Sequence, residues 1–186
     1  IEQKKLKLTL FELLTCAYIL AAKHTKNIIY NLVESGLLFK KDSTNLWKNP
    51  RAQIVTNINF QHQEWIKPKT ISEICKQKLG YLSKNTVIYI GKQEKKTLKI
   101  IRKILKKNPS KIVYPNAWVI KKNKQSYYYK DKENVFLIDS KHIYSEGLID
   151  NLGLAIKVAL DLGVKHQSIA NTIPKIRFEG RLQYLK

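Results

Sequence analysis

Methionine is absent from these 186 residues, and arginine supplies only four of the 35 basic side chains. Acids number 14, glycines seven, prolines five and cysteines two. Two distant cysteines, Cys16 and Cys75, without CxxC or His spacing exclude a disulfide scaffold or a zinc site of the usual kinds. Both lie in apolar helical contexts and are expected to be buried thiols. No run approaches the 18 apolar residues of a membrane span, and Ile1, Glu2, Gln3 and the following lysines are not a signal peptide, so a cytoplasmic location is expected. Without an initiator methionine, the expectation is a fragment or processed piece of a longer product.

The chain is 44% apolar and 10% aromatic, too rich in Ile, Leu, Val and Tyr for a disordered polymer, and its length suits one domain. Its net charge is +21. Ile (23), Lys (31) and Asn (13) together make 67 residues, and all three have codons rich in A and T, so base composition accounts for part of the charge. The scarcity of Arg argues against a surface that reads bases or grips phosphates with planar guanidinium forks.

Hydrophobic spacing predicts a core-facing helix over 9–23, with Thr9 and Glu12 forming a capping box. Strands are expected over 28–33 and 54–58. A short helix over 70–79 precedes Gly80 as its cap, and a strand follows over 86–90. A basic amphipathic helix over 93–107 turns Leu98, Ile101, Ile104 and Leu105 inward, and a strand over 111–114 ends at Pro115. This alternation predicts an α/β fold with a mostly parallel sheet covered by helices. Between Ala117 and Asp139, strands at 118–120, 127–129 and 135–138 follow one another without a helix, as a β-meander does. A helix over 150–162 ends at Gly163, and a second begins near Ser168 and stops before Pro174.

In this scheme Glu34 and His62 follow two adjacent parallel strands, at the edge where open α/β sheets place their crevice. Lys78 sits near the end of the next helix. A carboxylate and an imidazole there would suit a divalent metal holding phosphates; the plainer alternative leaves both as ordinary loop residues.

Several short words resemble the folylpolyglutamate synthase and dihydrofolate synthase family of the Mur ligase superfamily. Leu8-Thr9-Leu10-Phe11-Glu12 with Thr15 is similar to LTxFExxT. Residues 34–45 match EVGLGGRLDATN at Glu34, Gly36, Leu37, Asp42, Thr44 and Asn45. Residues 56–66 with Thr70 resemble TxIxxDHxxxLG followed by T, and 74–81 resemble IAxEKAGI. Asn151 with Ala155 resembles QxxNxxxA, and Gly180-Arg181-Leu182-Gln183 resembles GRLQ. The words occur in the family's order along nearly the whole chain.

The resemblance implies a Mur-ligase central domain, related to phosphate-loop NTPases, that uses ATP and Mg2+ to join L-glutamate to folate through an acyl phosphate. By it, Glu34, His62 and Lys78 are the catalytic metal residues, with Lys78 matching a lysine that is carbamylated. Asn151 would meet adenine and Arg181 the phosphates. Phe11, Asp42, Thr44 and Asn45 would form the folate side. Residues 1–178 would be a partial central domain with 117–139 inserted, and 179–186 the start of a hinge to a C-terminal ligase domain. The partners implied are folate and L-glutamate, with a monomeric chain, no membrane and no sequence-specific nucleic acid. The choice between folylpolyglutamate and dihydrofolate activity is left open.

Departures from the family words point to an inactive, diverged remnant. The family's GTNGKGS phosphate loop has no counterpart here. Its two glycines after Gly36-Leu37 are Leu38 and Phe39, a change expected to deny the loop positive backbone dihedrals. The Asp before the metal His is Gln61, the Glu before the modified lysine is Gln77, and an Arg is Lys40. Two other readings stand beside this one: a non-catalytic basic protein that binds RNA or another polyanion through lysines of the 93–107 helix, and a folded remnant without a ligand.

Overall fold

The computed structural model describes residues 7–123, 126–138, 143 and 145–177. Helix α1 spans Leu10–His24. Its capping box is as the sequence predicts: the Glu12 N–H donates to Thr9 Oγ1 at 3.3 Å, and Glu12 Oε2 accepts the Thr9 N–H at 2.8 Å. The expectation that α1 faces the core fails. Leu10, Leu13, Leu14 and Leu20 are all more than half exposed, and Thr15 is the helix's one buried residue. An apolar stripe drives burial only where another element covers it, and the bonds α1 makes to other segments are polar: Thr15 with Ser43 of the loop at 42–44, and the Tyr18 hydroxyl donating to Asn31 Oδ1 at 2.7 Å. Cys16 on this helix is exposed, against expectation, whereas Cys75 is buried.

The expected strand at 28–33 forms no ladder either. Ile29 and Leu32 are 85% and 87% exposed. Strand propensity describes side chains that fit a half-buried pleated surface, and this segment has no such surface beside it. The first paired strand is β1, Ala52–Val55, which ends three residues earlier than the 54–58 reading.

From there the alternation holds. Helix α2 (Ile71–Leu79) begins at the Thr70 cap, β2 is Val87–Ile90, α3 is Lys95–Leu105 and β3 is Ile112–Val113. These strands form a parallel sheet in the order β1-β2-β3. Its central strand divides its side chains by the two-residue pleat: Ile88 and Ile90 join a core with Ile74, Leu79, Ile101 and Leu105 of α2 and α3, while Tyr89 points into a second core.

That second core lies between the parallel sheet's other face, an antiparallel meander and helix α4. Strands β4 (Trp118–Asn123), β5 (Ser126–Asp131) and β6 (Val135–Ile138) pair in sequence order, with Tyr129 opposite both Ile120 and Phe136. Among the described residues the fold is therefore α/β with one parallel and one antiparallel three-stranded sheet, rather than mostly parallel as expected.

Helix α4, Glu146–Asp161, packs Leu152, Ile156 and neighbouring apolar residues into the same core, and Gly163, with φ +86°, ends it in the left-handed conformation that glycine takes without strain. Each large apolar side chain buried this way is worth about 1.5–3 kcal/mol. Helix α5, His166–Thr172, closes the described fold. No helix among the described residues is long and apolar enough to cross a membrane.

Candidate functional site

The parallel strands β1 and β2 end side by side, and the loops that follow are tied together by side-chain amides. Gln93 is the central clamp: its Nε2 donates to the carbonyls of Thr56 and Gly91 at 2.8 and 3.2 Å, and its Oε1 accepts the Ile58 N–H at 2.9 Å. Asn57 Nδ2 adds a bond to the Lys92 carbonyl at 3.0 Å. Helix α4 lies across this edge. A Cβ on Gly91 would come within 3.0 Å of Leu154, and Lys92 Nζ pairs with Asp150 at 3.1 Å. Asn151, the adenine candidate, follows Asp150 on α4 and is exposed.

A second cluster is the loop at 36–45, against the start of α1. Asp42 organises it: Oδ2 accepts the Leu37 N–H at 2.6 Å, and Oδ1 accepts both the N–H and the hydroxyl of Thr44 at 2.9 and 2.5 Å. The Asn45 N–H donates to the Asp42 carbonyl at 3.0 Å. Thr15 Oγ1 lies 2.8 Å from Ser43 Oγ, joining the loop to α1. A Cβ on Gly36 would stand 2.9 Å from the Phe11 ring and 3.4 Å from Asp42 Oδ2, so glycine lets that aromatic ring lie directly on the loop. Four sequence-selected residues, Phe11, Asp42, Thr44 and Asn45, are thus brought together.

Leu38 and Phe39 correct a sequence expectation. Their φ angles are +54° and +66°, so the loop keeps the left-handed backbone that the substitution of two glycines was expected to remove. Such a conformation costs about 1–2 kcal/mol for each non-glycine residue. Leu38 offsets part of it by burial in the core with Ile74 and Cys75. Lys40 beyond it lies 5.0 Å from the Tyr81 ring centroid. Bonding to Tyr81, then the attraction of Tyr81 and of Glu73, raises its pKa against slight desolvation.

The three metal candidates fall differently. Glu34 is exposed on the unpaired segment before the loop and does not follow a strand as the sequence reading required. His62 is half-buried, with φ +57°, and its carbonyl accepts the Trp65 N–H to start a short 3-10 helix. Lys78 is half-buried in the last turn of α2, where burial lowers its amine pKa and the neighbouring Cys75 partly counters the effect. Burial also pushes the Cys75 thiol up to about 11, with Lys78 opposing.

No hydrogen bond or ion pair joins Glu34, His62 and Lys78 among the described residues, and those residues contain no group of three His, Cys, Asp or Glu placed to hold a metal. Gln77 instead turns along its own helix to Glu73 at 2.8 Å, and this bond, with Lys76, holds the Glu73 carboxyl below its usual range despite partial burial. Arg181, the word at 180–183, the hinge segment 179–186 and Asp139 lie outside the described residues.

The chain matches no protein-family model and no curated protein sequence. Solved structures are another matter. A point mutant of L. casei FPGS superposes with a TM-score of 0.81 over 100% of this chain and 48% of its own, at 17% identity. The fold is that of folylpolyglutamate synthase. The synthase of Thermotoga maritima gives 0.79 over 99% of this chain and 43% of its own, at 21% identity. That of Mycobacterium tuberculosis, solved with ADP and AMPPCP, gives 0.76 over 95% and 42%, at 20% identity. The chain therefore spans about half the length of these synthases. The synthase words read in the sequence fall on α1, the loop at 36–45, the segment after β1, α2 and α4.

The sequence reading missed the Gln93 clamp and the Thr15–Ser43 link. A glutamine two residues after a glycine that ends a buried strand was the available signal for the first. The second joins residues 28 positions apart, and no local pattern announces it.

Proposed function

We propose that the chain belongs to the folylpolyglutamate synthase and dihydrofolate synthase family, whose complete members join L-glutamate to folate with ATP and Mg2+, and that these 186 residues alone carry the fold without the turnover. The observation that carries the assignment is the coincidence of two independent signals: family words in the family's order, and a backbone that follows folylpolyglutamate synthase over its whole length. In this reading residues 1–178 are a partial, monomeric central domain with the meander at 117–139 inserted, and 179–186 begin a hinge.

The folate side is the better kept. Asp42 spends its carboxylate on loop N–H groups and the Thr44 hydroxyl, so its role is to shape the loop, while Phe11 offers a 42% exposed ring as a wall for a flat heterocycle. In this reading Asn151 serves the adenine and Arg181 the phosphates.

The metal side does not fit magnesium as it stands. Mg2+ demands near-octahedral hard oxygen ligands, and Glu34, His62 and Lys78 offer one carboxylate, one imidazole and one amine. Gln61 and Gln77 stand where the family words carry acids. Burial favours the neutral form of the Lys78 amine, the form that carbamylation consumes. Only after that modification would this residue present oxygens.

The experiment is a phosphate-release assay on the purified chain with ATP, Mg2+, L-glutamate and either folate or dihydropteroate. Release at the no-enzyme rate is expected. Turnover lost on Lys78→Ala or His62→Ala would overturn the inactive reading.

A further inference from the structure

Helix α3 carries a surface that the ligase reading leaves unused. Lys95, Lys99, Arg102 and Lys106 recur at helical spacing, flanked by Lys96 and Lys103, and all six are exposed. The opposite face, Thr97, Ile101 and Leu105, is buried. Local electrostatics oppose this arrangement. The first turn holds two lysines, at the end where the helix dipole disfavours cations, and no acid beyond Glu94 at the N-cap, whose side chain makes no capping bond. Lys95 and Lys99, Lys99 and Lys103, and Arg102 and Lys106 are like-charge pairs at i,i+4 spacing. None of the six forms an ion pair among the described residues, whose pairs use Lys76, Lys92 and Lys157. Arg102 is steadied in mid-stripe by the Tyr114 ring, 5.1 Å from its centroid.

The helix is thus a rigid rod of unneutralised charge, held in place by its apolar face. A multivalent anion would relieve that repulsion. Ile101 and Leu105 are 0% and 1% exposed, so α3 has no apolar face left to enter a lipid surface. The charges step along the helix by about 4.5–6 Å over about 16 Å, a spacing suited to successive phosphates. Lysines, acting as point charges, hold such a backbone without reading bases. We infer that the exposed face of α3 docks nucleic acid through its phosphates, independently of sequence.

The test is fluorescence anisotropy of a short labelled RNA of mixed sequence, titrated with the full chain across about 50 to 200 mM salt. The triple variant Lys99→Gln, Arg102→Gln, Lys103→Gln is compared with Lys26→Gln, Lys165→Gln, Lys175→Gln, which removes equal charge elsewhere. The α3 variant should lower the slope of log affinity against log salt by about 2 and weaken binding at least about tenfold, with the control near wild type. Equal losses in both variants would overturn the inference, as would wild-type binding to polyglutamate or to anionic vesicles as tight as to RNA. Should the α3 variant not fold, acetylation of wild-type lysines with and without RNA decides: selective protection on α3 supports the inference, and uniform or absent protection contradicts it.

Discussion

The hydroxyl of Tyr129 donates to Asp131 Oδ2 at 2.8 Å, so two residues on the same face of β5 share one buried bond. Lys157 of α4 reaches the same oxygen at 3.3 Å and also pairs with Asp161 at 2.8 Å. Asp131 Oδ1 meanwhile accepts N–H groups from Glu133 and Asn134, closing the turn between β5 and β6. One carboxylate therefore ties the meander's turn, its central strand and its covering helix. The nearby Tyr89 hydroxyl is pushed up to about 12, by burial first and then by Asp161.

This network sets an acid limit on stability. Burial raises the Asp131 pKa, but the bonds from Glu133, Asn134 and Tyr129 outweigh it and hold the carboxyl well below its usual range. A depressed folded pKa contributes stability that is complete above the unfolded value, about 3.9, and is lost as pH falls below it. Thermal melts from about pH 5 downwards should show wild type losing stability more steeply than Asp131→Asn. At pH 7, Asp131→Ala should cost about 3 kcal/mol, because the buried Tyr129 hydroxyl and Lys157 lose a shared partner. Parallel melting curves for wild type and Asp131→Asn would contradict this.

Two glycines of α4 should respond with opposite signs. A Cβ on Gly153 would stand 2.8 Å from Trp118 Nε1 and 3.0 Å from Ile120 Cδ1, in the contact between helix and meander, whereas one on Gly147 meets nothing within 4 Å. Gly153→Ala should destabilise by about 1–2 kcal/mol through overpacking. Gly147→Ala should be neutral or stabilise by up to about 1 kcal/mol. Urea unfolding monitored by tryptophan fluorescence measures both.

The left-handed residue Phe39 makes the loop sensitive to side-chain branching. Phe39→Gly removes the conformational strain, while Phe39→Val places a β-branched residue at φ +66°. The glycine variant should be the more stable by at least about 1 kcal/mol in the same urea assay. A valine variant as stable as the glycine one would mean that the loop relaxes out of this conformation.

Where burial and periodicity coincide, the fold was legible. The capping box of α1, the 3.6-residue stripe of α3, the pleat of β2 and the run of strands in the meander all follow from local pattern. The failures lie at α1 and 28–33, where apolar sequence promises a partner surface that these elements do not meet. Positive φ at Leu38 and Phe39 was invisible because residue type argues against it, and only a loop pinned by Asp42 and the Leu38 core contact overrides that preference. Of the candidate site, the folate-side cluster of Phe11, Asp42, Thr44 and Asn45 assembles around one turn. Glu34, His62 and Lys78 come from three separate segments, whose convergence no local pattern could secure.

We propose that these 186 residues by themselves hold ATP and Mg2+ weakly or not at all. Triphosphate grip in phosphate-loop proteins comes from successive backbone N–H groups and a lysine of the Gly-rich loop, and no such loop occurs in these residues. Calorimetric titration of the purified chain with AMPPCP and Mg2+ measures what is left. The account predicts no heat beyond dilution, or weak binding that Lys78→Ala and His62→Ala leave unchanged. Micromolar affinity that either substitution abolishes would contradict it.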